Sequence, residues 1–575
     1  MGTHYNLSQE SQGAYVERRF SDLLNIRQSY DSVWKDLADH FLPTRYRNVG
    51  SSPDAWRTMP LLNDKLVDAT GILAMRTLAS GLQGGITSPA RPWFKLGLSN
   101  EDLAKYAPVK DWLDVVGKRM ANIFNNSNFY NAVHTLYNEL GTFGTAFMLE
   151  IADFDHGFRF LTFCSGEYCL DCNASQKVDV VFRRVRMSTR QLIERFGVDK
   201  LPAYVLNGRS VSGHVGRDQS YNVIHAIYPR KDYKLGKASP IHMPFASVYI
   251  LEAQSIGQKS SYSDGHVLSV SGFEEFPGFG VRWDVTGNDV YGRSPAMDVL
   301  PDCRMLQQMG TSLLKAIHKS VEPPTSVAAS LKSEGLDLTP GGVNYVEAQP
   351  GQAPQAATPI LQIRPEIEAA RGAIGDVQSQ IQRGLYNDLF RLLLNSDRRQ
   401  ITAKEVAVRE EEKLILLGPA LERLNSELFD PLIKRTFNLM LRHDLVPPVP
   451  QELLQSEESG ELKVDFISLL AQAQKLVSTG AVDRCMAFIG SAAQMKPEAL
   501  DAINIDVAID EYADYLGVSA GLLNSQEERD LIREQRAQAE MQAEQQAMQQ
   551  AQMQQTVQNI GGATDSILKL AQIPL

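Results

Sequence analysis

The chain has 575 residues, with 57 Lys and Arg against 68 Asp and Glu and a formal net charge of -11. Hydrophobic residues at 43% and charged residues at 22% exclude global disorder and allow a sizeable core, so several domains or one large domain with extended arms fit this length. The acidic balance argues against a protein that grips phosphates over its whole surface, since such binders are basic overall.

The first 150 residues read as mostly helical. Leu23, Ile26, Tyr30, Val33, Trp34, Leu37 and Phe41 recur at three and four and end at Pro43. A second helix is expected from about Asn63 to Gln83, stopped by Gly84-Gly85, and the turn Ser88-Pro89-Ala90-Arg91-Pro92 follows. A third is expected from Val109 to Asn125, and a fourth from about Asn128 to Gly141 and Gly144. From there to about Val285 the period becomes strand-like, as in Val178 to Val185 and Val223 to Tyr228. One short helix interrupts the strands, marked by the capping-box pair Ser188 and Gln191 and closed by Gly197.

Ser294-Pro295 then opens a helix with the stripe Met297, Leu300, Leu306, Met309, Leu313 and Ile317, closed by Pro323-Pro324; Pro301 inside it predicts a break or kink. A Pro-, Gly-, Ala- and Gln-rich excursion to Pro365 contains strand-like pieces such as Val343 to Val346. A second long helix carries Ile367, Ile374, Val377, Ile381, Leu385, Leu389 and Leu392 on one face. At about 28 residues each, the two helices would be roughly 40 Å long, forming a hairpin with a small knob at its tip. Asn395-Ser396-Asp397-Arg398-Arg399-Gln400 interrupts the second helix, and Thr402 with Glu405 caps a third long one. That helix meets two joints, Gly418-Pro419 and Asp430-Pro431, and ends before Pro447-Pro448. Helices of a terminal module are expected from Asp465 to Leu523, and a Gln-, Ala-, Glu- and Met-rich tail opens with the capping pair Ser525 and Glu528.

Catalytic and metal motifs are weak. Cys164-x4-Cys169-x2-Cys172 imitates iron–sulfur ligand spacing, but no fourth Cys lies nearby; with Cys303 and Cys485 these residues read as free thiols of a reducing compartment. No H-E-x-x-H, phosphate-loop or G-x-S-x-G pattern occurs. Asp153-x-Asp155 reads as a solvated turn before Gly157, and Gly141 to Thr145 as a helix-to-strand connection. Neither a catalytic constellation, a metal site nor a cofactor is expected. Met1 to Glu10 is polar, and no run of about 18 apolar residues suggests a membrane span; the expectation is a soluble intracellular product.

Five segments in order carry a resemblance to a known family: Trp34 to Pro43 (WKDLADHFLP), Thr77 to Leu96 (TLASGLQGGITSPARPWFKL), Ser127 to Met148 (SNFYNAVHTLYNELGTFGTAFM), Tyr291 to Met309 (YGRSPAMDVLPDCRMLQQM) and Thr402 to Pro431 (TAKEVAVREEEKLILLGPALERLNSELFDP). They resemble the head-to-tail connector, or portal, family of podoviruses over most of the chain. That resemblance implies an α+β, predominantly helical portal fold with wing, stem, clip and crown, assembled as a ring of typically twelve copies. Its parts would be the wing at 1–289 and 402–455, the stem helices at 290–321 and 366–393, the clip at 322–365, a tunnel loop at 394–401, the crown at 456–524 and a helical tail at 525–575.

The implied role is a non-enzymatic channel at one capsid vertex of a short-tailed phage, used for DNA packaging, retention and ejection and as the docking platform for motor and tail. Implied partners are further copies of the chain, double-stranded DNA passing non-specifically, a terminase ATPase, a tail adaptor, and the major capsid and scaffolding proteins, with no membrane. The implied location is the virion, after assembly in the host cytoplasm. The acidic balance suits such a channel: duplex DNA carries one charge per about 1.7 Å of axis, and a strongly basic wall would hold it. The expected lumen is acidic or mixed, with Asn395, Ser396, Asp397, Arg398, Arg399 and Gln400 as the loop that touches DNA. The competing reading is an internal virion or scaffold-like protein without a DNA channel.

Overall fold

The computed structural model describes residues 11–45, 66–100, 106–153, 157–207, 220–234, 239–252, 265–321, 325–327, 357–359, 367–395, 417–451, 453, 462–467, 488–489, 491, 504–509, 524 and 528–549. The chain divides into two compact units, Met1–Leu96 with Val115–Pro448 and Leu462–Val477, and Gly97–Asp114 with Val449–Glu461 and Ser478–Leu575.

In the first unit, α1 (Gln12–Phe41) starts where Ser11 accepts the Ala14 amide, well before the stripe that begins at Leu23. Its Val16, Phe20 and Leu23 pack against one face of a five-stranded antiparallel sheet of order β4-β5-β6-β7-β8. These strands are Tyr168–Cys172, Val178–Ser188, Ser220–Pro229, Phe245–Leu251 and His266–Phe273. Alternation decides the faces: Phe182, Ala226 and Val248 lie in one cross-strand row toward α1. Val185, Val223 and Leu251 lie in another row on the opposite face. There they meet Leu192 and Phe196 of α5 (Thr189–Phe196) and Val205 of α6 (Ala203–Asn207). The capping box of α5 forms with both of its bonds, and Gly197 ends the helix at φ 83.

A second sheet of order β3-β2-β9 joins Gly157–Phe163, Thr145–Asp153 and Gly278–Arg282. It is fed by α4 (Phe129–Phe143), which stops at Gly144 in the left-handed region, φ 77. A Cβ there would lie 2.4 Å from the Gly292 carbonyl oxygen, so Gly is required both for conformation and for space.

Several expected boundaries move. The second helix, α2, is Thr70–Gly85; residues 66–69 are not helical, and the Asp68 side chain accepts the Thr70 amide in a turn just before the helix. The third, α3, is Ala107–Asn126. Residues 462–466, expected to lead into helices, form β12 (Leu462–Phe466) and pair with β1 (Phe94–Leu98). The alternation Leu462, Val464, Phe466 explains the correction. In the second unit, residues 528–549 are helical and almost wholly exposed, and Arg533 pairs with Asp506 at 2.6 Å.

Candidate functional site

The two-helix hairpin begins at a crowded root in the first unit. The Ser294 hydroxyl donates to the Thr142 carbonyl at 2.8 Å and accepts the Met297 amide, capping α7 (Pro295–Val321). Just before it, Tyr291 is buried against Trp34 and Tyr30, and its hydroxyl accepts the Leu170 amide. α7 runs unbroken through Pro301, so of the expected break or kink the break does not occur. Pro301 is the seventh residue of the helix, beyond the first turn whose amides lack helical partners, so its missing N–H forgoes one bond of the ladder.

The returning strand of the hairpin is α8 (Ile367–Gly384), which packs along α7. Gly384 permits close approach, since a Cβ there would meet Val299 Cγ1 at 2.3 Å. A clamp of side chains then holds both helices to the segment just before α2. The Gln307 amide oxygen accepts the Val67 and Asp68 amides at 2.7 and 3.0 Å, and its nitrogen donates to the Asp68 carbonyl. Gln378 of α8 donates to the Asp68 carboxylate at 2.8 Å.

Beyond the clamp, burial fades. Leu300 and Leu306 on α7 and Val377 and Ile381 on α8 are buried. Met297, Met309, Leu313, Ile317, Ile367 and Ile374 are only partly covered, and Leu314 and Val321 are 46% and 74% exposed. No residue from 307 to 321 or from 367 to 376 is buried. At the far end β10 (Thr325–Val327) and β11 (Ala357–Pro359) pair antiparallel, Thr325 opposite Pro359. The excursion between them, including Val343 to Val346, lies outside the described residues.

The second helix is not continuous. It breaks at Leu385-Tyr386, Tyr386 taking φ 56, and resumes as α9 (Asn387–Asn395). Leu385, Leu389 and Phe390 are buried, and Phe390 lies so close over Gly81 of α2 that a Cβ there would sit 2.2 Å from its ring. The apolar period passes through the break, so the stripe alone predicts one helix. Asn395 ends α9. Ser396, Asp397, Arg398, Arg399 and Gln400 lie outside the described residues, as do Thr402 and Glu405 of the third capping pair.

Helix resumes at residues 417–424 (α10), continues as a π turn over Asn425–Phe429, and becomes α11 (Asp430–Arg442). The joint expected at Asp430-Pro431 thus takes the form of an overwide turn, with Pro431 in the first turn of α11. Gly418-Pro419 falls inside α10. Glu427 in the π turn accepts from the Arg282 backbone amide and from its guanidinium, the closest contact at 2.6 Å, with the Arg282 side chain 4% exposed.

A second buried charge pair ties α11 to β2. Glu150 is fully buried, its Oε2 lies 3.7 Å from Arg435 Nε, and neither of these atoms has a hydrogen-bond partner. The Thr436 hydroxyl sits 2.8 Å from both Glu150 Oε1 and the Leu432 carbonyl. One hydroxyl proton cannot serve two acceptors, so a protonated Glu150 donating to Thr436 satisfies the site best. Burial accordingly pushes the Glu150 carboxyl up to about 7 against the pull of Arg435, and burial also lowers Arg435. Glu275 and Glu274 complete the cluster through Arg442 and Asn438.

Sequence reasoning missed both buried pairs and the Gln307–Asp68–Gln378 clamp. Glu150 alone left a signal, a carboxylate inside the apolar run Ala146 to Ala152. Of the three clustered cysteines, Cys169 is buried and its thiol is pushed up to about 11 by burial; burial likewise pushes Cys303 up to about 12. Among the described residues no group of three His, Cys, Asp or Glu is arranged to hold a metal ion, and no helix is long and apolar enough to cross a membrane.

The family described as bacteriophage head to tail connecting protein matches residues 14–523. The "Probable portal protein" of Bordetella phage BPP-1 is 36% identical over 532 residues, 92% of this chain and 92% of that protein. The "Portal protein" of Salmonella phage epsilon15 is 36% identical over 531 residues, again 92% of each chain.

Proposed function

The chain belongs to the bacteriophage head-to-tail connecting protein family, and from that premise we propose that it is a portal subunit: a structural protein whose copies form a ring-shaped channel at one capsid vertex. DNA enters through this channel during packaging, is retained by it and leaves through it. The observation that carries the reading is 36% identity to two phage portal proteins over 92% of both chains.

In this reading α7 and α8 are the stem, the chain between them is the clip that meets the packaging ATPase and later a tail adaptor, and residues 394–401 are the loop that meets DNA. The wing comprises 1–289 and 402–455, and the crown and tail follow. Capsid and scaffolding proteins are the remaining partners, the virion is the site of action, and no catalysis is assigned. The fading burial along the hairpin supports the stem assignment. Partly exposed Leu313, Ile317 and Ile374 gain cover when identical hairpins stand side by side, and a head-to-tail contact of this kind must close into a ring to avoid filaments. Force on DNA comes from the separate ATPase.

The test is imaging and native mass measurement of the purified assembly, together with packaging by particles carrying Ala at both Arg398 and Arg399. The expected result is a closed ring with an axial opening, and altered retention or ejection of DNA in the double variant with assembly intact. Monomers, filaments or a solid particle would instead favour a scaffold-like protein; normal packaging and retention by the double variant would remove the DNA-contact role from the loop.

A further inference from the structure

Strand pairing places Tyr168, Arg183, His225, Tyr249 and Ser269 in a single row across β4 to β8, on the face of the sheet opposite α1. Within this row the planar groups stack. The His225 and Tyr249 rings are 3.9 Å apart and 5° from parallel. Arg195, from α5, lies over the Tyr249 ring at 4.7 Å and donates to its hydroxyl at 2.7 Å. Arg183 lies over the Phe163 ring at 4.2 Å.

Two cations therefore lie over aromatic rings, Arg195 with an N–H on the Tyr249 hydroxyl and Arg183 with its N–H edge left for an acceptor. For Arg183 that acceptor is missing. Neither Arg183 nor Arg195 forms an ion pair with any described residue, and Arg183 Nε is buried without a hydrogen-bond partner. The carboxylate that acts on Arg183 is Glu167, which already accepts the Cys164 amide and is raised by burial. His225 between the cations is spent on Ser247 at 3.0 Å. Burial first, and then the charges of Arg183 and Arg195, hold His225 well below its ordinary range, so it stays neutral and both guanidiniums are close to it.

We propose that the Arg183 guanidinium, with the Tyr249 hydroxyl and Arg195 beside it, is a binding site for a phosphate-type oxyanion. The Tyr249 oxygen accepts from Arg195, so its own proton is free to donate outward. A tetrahedral oxyanion offers acceptors in several directions, matching donors carried on separate planes; a carboxylate offers two oxygens in one plane. The site lies on the sheet and not on the hairpin, and it stands independently of the channel reading.

The experiment is thermal unfolding of the full-length protein titrated with inorganic phosphate, with acetate and chloride as arms at matched ionic strength. Phosphate stabilises any fold weakly by exclusion from its surface, so the saturable part and its dependence on Arg183 are the readout. Wild type should show a saturable rise in Tm with phosphate and none with acetate. R183M, which keeps a long stem over Phe163, should move the midpoint of the rise upward by about tenfold or more. R195M, at an exposed position less able to disturb folding, should weaken it as well, and R183K should restore part of the response. Unchanged midpoints in R183M and R195M, or an equal rise with acetate, overturn the proposal.

Discussion

Replacing Glu150 with Gln should remove a specific part of the pH dependence of stability. Glu150 is fully buried between β2 and α11, and its carboxyl is raised from an ordinary 4.5 to about 7, first by burial. A raised carboxyl binds its proton more tightly in the folded chain than in the unfolded one. The stabilisation is therefore fully present below about pH 4.5, declines as pH rises, and is gone above about pH 7. The displacement corresponds to about 3 kcal/mol. Gln imitates the protonated carboxyl, able to donate to the Thr436 oxygen while Thr436 donates to the Leu432 carbonyl, and it does not ionise. Wild type and E150Q should thus have similar stability near pH 5, and E150Q should be the more stable near pH 8 by up to about 3 kcal/mol. Urea unfolding at both pH values measures the difference, and comparing the two proteins cancels the contributions of other carboxyls such as Glu139 and Glu167, also raised by burial. If E150Q follows the same pH slope as wild type, the account of this buried pair is wrong.

Further substitutions separate the anchored part of the hairpin from its distal part. Ile381→Ala, at a fully buried position, should destabilise the isolated subunit by about 2–5 kcal/mol in chemical unfolding. Ile317→Ala, on the partly exposed stretch, should cost less than about 1 kcal/mol there yet weaken ring formation measured by native mass. Gln307→Ala removes three hydrogen bonds to residues 67 and 68; it should accelerate hydrogen exchange at the start of α2 and cost about 1–3 kcal/mol. Gly144→Ala forces a side chain into φ 77 and against the Gly292 carbonyl, and should lower the yield of folded protein or its Tm, with a cost above about 1–2 kcal/mol.

What could be read from the sequence was the chemistry that acts over a few residues. Ser188 with Gln191, Gly197, the Gly144 turn and the Ser294 cap each announce themselves by local spacing, and each forms. The hairpin was legible for the same reason, since two long stripes flank a Pro- and Gly-rich interval. What escaped depends on partners far apart in the chain. Asp68 and Gln307 are separated by 239 positions, and Arg282 and Glu427 by 145, so no window of the sequence contains both. The break at Tyr386 was hidden because its apolar period continues across it. The break offered as one outcome at Pro301 does not occur: the helix continues through it although its missing N–H forgoes one ladder bond.

The π turn at Asn425–Phe429 has one more consequence. It winds an additional residue into the helix, and each residue of an α-helix advances about 100°. Each residue of the wide turn advances less than that, so the extra residue is absorbed locally and the flanking halves keep the phase of a regular helix one residue shorter. Winding the same residues as regular α-helix would instead rotate everything upstream by about 100°: Leu417, Leu421 and Leu424, all buried, would swing away from the surface they cover, while Leu432, Ile433 and Met440 stayed in place. The wide turn thus keeps both halves of the helix facing one core although the chain carries a residue more than regular winding there has room for.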